Sequence, residues 1–162
     1  MNLFWDTSAF VALLLEEVHT PAATCAWEES DSDLAWRWLR VETEAALIRR
    51  NAAPGRWKHM DELLVRVEMM DLSPVDLDPV CRANRQWRLR ASDAGHLHCF
   101  RRAAYAMPDL QLVSFDEEML AVARALGLQI WQPPGAGGLR PSLIREAGAA
   151  YESPRRRRRR AK

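Results

Sequence analysis

The sequence is poor in cysteine, lysine and long apolar runs. Its three cysteines, Cys25, Cys81 and Cys99, are too few and too scattered for a disulfide scaffold, and their odd number leaves one unpaired in any intramolecular scheme. None belongs to a Cys-x-x-Cys pair, and His98 beside Cys99 is one neighbour rather than a zinc site. Such usage points to a reducing compartment. No stretch approaches the ~18 apolar residues that a membrane span requires, so no membrane association is expected. The apolar residues 9–15 lack a basic leading segment and end at Glu16 and Glu17, which argues against a signal peptide and makes the cytoplasm the expected location. Lysine is almost missing: Lys58 stands alone until Lys162.

What is present suits one soluble domain: 48% hydrophobic and 28% charged residues in a chain of 162. The formal charge of +1 conceals two opposed regions. Residues 155–160 are six consecutive arginines and Lys162 follows; without those seven, 16 basic residues face 22 acidic ones, a formal −6 on residues 1–154. Residues 133–162 also hold four of the nine prolines and four of the seven glycines. The chain therefore divides into a domain over residues 1–132 and a Pro/Gly-rich, Arg-rich tail over residues 133–162, expected to be disordered, with residues 139–150 able to form a short helix on a partner. The run Arg155 to Arg160 reads equally as a solvated tail or as a phosphate anchor.

Along the first region, residues 2–5 read as a strand that stops at Asp6, and residues 7–15 as a helix. Residues 20–30 read as a second helix with Pro21 in its first turn, and residues 30–33 as a loop. Residues 34–39 are ambiguous, since Trp36 and Trp38 alternate as on a strand while residues 41–50 are helical. Helical spacing continues over residues 56–70, a short strand is expected at 71–75, and helices at 76–88 and from Ser92 or Asp93 to about Tyr105. The clearest signal is strand 110–115, helix 116–126 and strand 128–131, a crossover of the kind that joins parallel strands. The expected fold class is α/β, a parallel sheet with helices on both faces.

Two strand ends are tied to carboxylates, Asp6 and Asp116, and ligands of open parallel sheets gather beyond the carboxyl ends of strands. Asp93 at a helix start and Glu42 within residues 41–50 can add two more. Asp6, Asp93 and Asp116 also stand where a helix N-cap is expected, so each has a purely local reading. Glu42 and Glu44, about 200° apart on a helix, cannot both face one site. Carboxylates converging without matching arginines repel one another, and a hard cation such as Mg²⁺ or Mn²⁺ removes that cost.

These residues resemble the PIN-domain family, specifically the VapC-like toxins of bacterial toxin–antitoxin pairs. The resemblance lies in WDTSAFVALLLEE at 5–17, VETEAALIRR at 41–50, LRASDAGHLH at 89–98 and VSFDEEMLAVARALGLQIW at 113–131, which together span nearly all of residues 1–132. It implies a PIN-like parallel sheet and metal-binding carboxylates at Asp6 (an Asp-x-Ser motif, with Ser8 in support), Glu42, Asp93 (followed by Ala94, His96 and Leu97) and Asp116 (preceded by Ser114 and Phe115). Ala46 and Leu47 at the fourth and fifth positions after Glu42 favour it over Glu44. The implied activity is a Mg²⁺- or Mn²⁺-dependent endoribonuclease, inhibited by an antitoxin and assembled as a homodimer. The tail has no counterpart in many relatives, and Gly95 stands where a larger apolar residue is common, which would loosen its helix.

Other readings compete. A helix histidine such as His96 more often packs on the sheet or bonds a backbone carbonyl than acts as a base, and the seven tryptophans read as core or dimer contacts. Arg49, Arg50 and Arg56 can hold RNA phosphates near the site, or simply be solvated. A haloacid-dehalogenase phosphatase needs an aspartate where this chain has Ser8, and a response-regulator receiver needs a distal lysine that Lys58 does not supply. A catalytically inactive PIN-like module that binds RNA or protein remains the alternative.

Overall fold

Asn2–Trp5 (β1) turns Leu3 and Trp5 into one hydrophobic cluster and Phe4 into another, so both faces of this strand are buried. The same alternation holds in Ser32–Trp36 (β2), where Leu34 and Ala35 face opposite sides, and in Gln111–Val113 (β4), where Leu112 and Val113 do. With Val67–Met70 (β3) these strands make a sheet of order β3-β2-β1-β4, every pair parallel. A strand buried on both faces must be covered by two helical layers. In this computed structural model, which describes residues 1–134, the layers are plain. One is built by Thr7–Leu14 (α1), Thr20–Glu29 (α2), Trp38–Arg49 (α3) and Pro54–Leu64 (α4), the other by Leu77–Trp87 (α5), Ala91–Ala106 (α6) and Glu117–Ala125 (α7). The α/β architecture of a parallel sheet between helices is therefore as expected, while almost all of the tail, with Arg155 to Arg160, lies outside the described residues.

Four expectations are corrected. Residues 67–70 are strand β3 rather than the end of a helix, because the apolar run pairs with β2, Asp33 opposite Val67 and Trp36 opposite Met70. The strand expected at 71–75 is absent; Pro74–Asp76 forms a single 3₁₀ turn closed by Ser73 and Asp76. Residues 128–131 give one parallel bridge, Ile130 with Leu112, rather than a strand. The loop expected at 30–33 gives way to β2 from Ser32.

Gly95 is a packing requirement rather than a weakness: a Cβ there would overlap the six-membered ring of Trp36. The glycine lets Trp36 lie on α6, edge-on to the His96 ring at 5.1 Å. Of the tryptophans, Trp5 and Trp131 are buried in the core, whereas Trp38 is 47% exposed and stacks beside Trp36.

Candidate active site

The chain order places β2 and β3 on one side of β1 and then crosses to β4 on the other, so the sheet's switch point lies between β1 and β4. Asp6 follows β1 directly, its N–H donating to the Val113 carbonyl of β4 at 3.0 Å, and Asp116 follows β4 by three residues. Glu42 comes from α3, which leaves the end of β2, and Asp93 from the first turn of α6. All four line one cleft of about 670 Å³. Thr7, Ser8, Arg49 and Arg90 share its wall.

Capping and exposure to the cleft turn out to be compatible. Asp6 is the N-cap of α1 and is 3% exposed; its Oδ2 accepts from the Ser8 N–H at 3.1 Å, Ser8 Oγ at 2.6 Å and Ser114 Oγ at 3.0 Å. Three donors on one oxygen leave Oδ1 over. Asp116 is the N-cap of α7 through Oδ1, which accepts from the Met119 N–H at 2.8 Å. The serines belong to the frame: Ser8 Oγ also receives the Phe115 N–H, and Ser114 Oγ the Asp116 N–H. Ser8 and Ser114 thus tie the ends of β1 and β4 to the same carboxylate.

Asp93 behaves differently. It is the third residue of α6, whose N-cap is Arg90, so the capping expected of it does not occur. Its Oδ2 is buried without a hydrogen-bond partner, and Ser92 Oγ reaches only Oδ1, at 3.4 Å. Burial, with the negative charges of Asp116, Asp6 and Glu42 adding to it, pushes the Asp93 carboxyl up to about 6, against the opposing pull of Arg90.

Glu42 is held from one side. Thr7 Oγ donates to its Oε2 at 2.6 Å, and His96 Nε2 stands 2.8 Å from the same oxygen. A carboxylate only accepts, so His96 carries its proton on Nε2. Burial works against the ionised carboxyl, but the hydrogen bonds from His96 and Thr7 outweigh it and hold the Glu42 pKa below the ordinary range. His96 is fully buried, and its other nitrogen, Nδ1, has no hydrogen bond and lies 4.0 Å from Asp6 Oδ1. His96 packs on the sheet as expected, against Trp36 of β2, but its hydrogen bond goes to the Glu42 carboxylate rather than to a backbone carbonyl. Thr7 escaped the sequence reading; its one signal was a second hydroxyl residue inside Asp6-Thr7-Ser8. Glu44 points elsewhere, accepting from Arg40 Nε at 2.8 Å.

The opposite end of the sheet supplies a contrast. Asp33, near the start of β2 and 2% exposed, is matched by Arg66 Nε at 2.6 Å and by Trp5 Nε1 at 2.8 Å. A buried carboxylate with a scaffold role is neutralised in this fold. The cleft carboxylates are not.

The chain has similar proteins of known name, although no family model matches it. Ribonuclease VapC35 of Mycobacterium tuberculosis is 26% identical over 132 residues, covering 81% of this chain and 96% of that protein. The chain is thus similar in sequence to a VapC ribonuclease and has a PIN-type fold. Two crystal structures share the fold at lower identity. VapC20 of Mycobacterium tuberculosis, a sarcin-ricin loop cleaving toxin, superposes with a TM-score of 0.59 at 17% identity, over 82% of this chain and 100% of that one. PAE2754 of Pyrobaculum aerophilum gives 0.54 at 21% identity, over 75% and 84%.

Proposed function

We propose that this VapC-like chain is a ribonuclease toxin that cuts RNA phosphodiester bonds in the four-carboxylate cleft with the help of Mg²⁺ or Mn²⁺. The observation that carries this reading is the uncompensated charge: Asp33 has its arginine, while Asp93 sits among three acidic neighbours with a buried oxygen that nothing satisfies. An all-oxygen donor set suits a hard dication. Among the described residues no three His, Cys, Asp or Glu side chains are drawn into a preformed cage. An open set suits an ion that keeps several waters and is held by one or two carboxylates plus substrate phosphate.

The oxygens left over by the hydrogen bonds, Asp6 Oδ1, Glu42 Oε1, Asp93 Oδ2 and Asp116 Oδ2, are the ones that would hold it. Bound there, the cation would polarise the scissile phosphate and make a nucleophile from water at neutral pH. The chain's own residues do the rest. Ser8 and Ser114 fix Asp6, Thr7 and His96 fix Glu42, and Arg49 and Arg90 present positive charge to phosphate oxygens from the cleft wall. The expected products are a 5′-phosphate and a 3′-hydroxyl, from a single-stranded or loop segment. The partners of this reading are the RNA and a cognate antitoxin protein, with a homodimer as the assembly and the cytoplasm as the compartment. No helix among the described residues is long and apolar enough to cross a membrane.

The test is expression of wild type and Asp93→Asn in a bacterial host, with RNA ends mapped after induction. Growth arrest with new 5′-phosphate ends in wild type only is the expected result. Arrest by both proteins without new ends would make the chain a binding module that lacks catalysis.

A further inference from the structure

Neutralisation of the arginines is uneven across the surface. Among the described residues Arg37, Arg40, Arg50, Arg56, Arg66 and Arg124 each reach a carboxylate, as does Arg102 at Asp76. Arg50, which lines the cleft with Arg49, pairs with Glu17, and Arg56 pairs with Glu16, so of the three arginines that the sequence suggested for phosphate binding Arg49 alone has no ion pair among the described residues. Among the described residues, the arginines without an ion pair are Arg49, Arg82, Arg85, Arg88, Arg90 and Arg101. Five of these six fall within residues 82–101, on α5, on the turn after it and on α6, and all five are exposed. Cations gathered on two packed helices repel one another, and an overall acidic body makes their local excess stand out.

The location adds direction. Arg90 lines the cleft that holds Asp93, three residues before it in sequence. Arg101 lies about 12 Å further along α6 than Asp93 at the helical rise. There it stands over the Trp87 ring of α5, 5.3 Å from the centroid, and shares a cavity of about 540 Å³ with Arg102, His98 and Tyr105. Tyr105 is 93% exposed, an aromatic face with no core to serve.

We infer that the α5–α6 ridge, Arg82, Arg85, Arg88 and Arg101, carries the phosphate backbone of the RNA substrate toward the cleft, where Arg90 receives it, with Tyr105 as a stacking surface for a base at the far end. This inference rests on the ribonuclease reading and deepens it: beyond the cleft, the substrate's path runs along the second helical layer. Each phosphate neutralised on a single strand releases counterions, so affinity falls with salt in proportion to the number of contacts.

The experiment measures binding of a fluorescent RNA oligonucleotide to the full chain in EDTA, without cleavage, from about 50 to 200 mM salt. Replacing Arg82, Arg85 and Arg101 by Gln should lower the log–log salt slope by about 2, roughly 0.7 for each contact, and weaken binding on the order of 10–100-fold. Tyr105→Ala should weaken it about 5-fold or more with the slope unchanged. As a control, Gln at Arg37, Arg40 and Arg124, each occupied by its own carboxylate, should leave the slope as in wild type. An unchanged slope in the ridge variant would overturn the inference alone, as would loss of poly-glutamate peptide binding with RNA binding retained, which would make the ridge a protein-docking surface. A wild-type chain that binds no RNA at low salt would overturn the ribonuclease reading and the ridge together.

Discussion

Replacing Asp93 by Asn should stabilise the metal-free protein, although it removes a carboxylate proposed to hold the cation. The unfolded chain titrates Asp93 near 3.8, whereas in the fold burial and the charges of Asp116, Asp6 and Glu42 raise it to about 6. The folded state therefore binds the extra proton between these two values, and stability from this group falls as pH rises through that window. Above pH 6 the charged carboxylate costs about 3 kcal/mol on that difference, which solvent at a half-buried group screens to about 1–2 kcal/mol. Asparagine carries no charge, and its amide can donate toward the surrounding carboxylates. At pH 7.5 in EDTA the variant should melt about 3–6 °C above wild type in a circular-dichroism scan. The gap should close as pH is lowered toward 4. Saturating Mg²⁺ or Mn²⁺ should reverse the order, since an ion at a hundred times its Kd adds about 2.7 kcal/mol to the protein that binds it. A variant that melts with or below wild type in EDTA at pH 7.5 would refute the claim that the cleft charge is uncompensated.

The remaining expectations concern the frame around that charge. Glu42 has the opposite sign: its lowered pKa means stability that is present above the ordinary carboxyl range and lost as pH falls through the folded value, so Glu42→Gln should lower the melting temperature in EDTA. In RNA cleavage, Glu42→Gln should be far more damaging than Glu44→Gln, because Glu44 is engaged by Arg40 outside the cleft; equal rates would contradict the placement. His96→Gln keeps a donor near the Nε2 position and should retain Mn²⁺ affinity, while His96→Asn, which is shorter, should lose about 10-fold or more by titration calorimetry; similar affinities would show that His96 only fills space. Gly95→Ala forces Trp36 away from α6 and should cost about 1–3 kcal/mol in denaturant unfolding, with an unchanged midpoint counting against the packing described here.

Asp6 and Asp116 could be read from their neighbours because their surroundings are local. A short apolar strand followed by an aspartate, then a helix, places that side chain against the first turn's free N–H groups, and Ser8 lies two residues from the Asp6 carboxylate it serves; only Ser114, 108 residues from Asp6, reaches it through the pairing of β1 with β4. The same locality explains why the strand–helix units at residues 2–15 and 110–126 were evident, whereas β3 was not. Val67–Met70 continues the apolar spacing of the preceding helix, and only hydrogen bonding to β2, more than thirty residues earlier, makes it a strand.

The sequence by itself determined the α/β class and the two helix-capping aspartates, since each follows from residue type and short spacing. Tertiary structure decided which charges survive. Packing α3 and α6 around β1 and β2 puts His96 against Glu42, 54 residues apart, and leaves the buried oxygen of Asp93 unmatched. Folding also spends the arginines unequally: Arg50 goes to Glu17, Arg66 to Asp33 and Arg102 to Asp76 across the chain, while Arg82, Arg85, Arg88, Arg90 and Arg101 have no ion pair among the described residues. A formal charge count cannot distinguish these cases, because Coulomb energy depends on distance and on the dielectric surroundings, and both are fixed only when the chain folds.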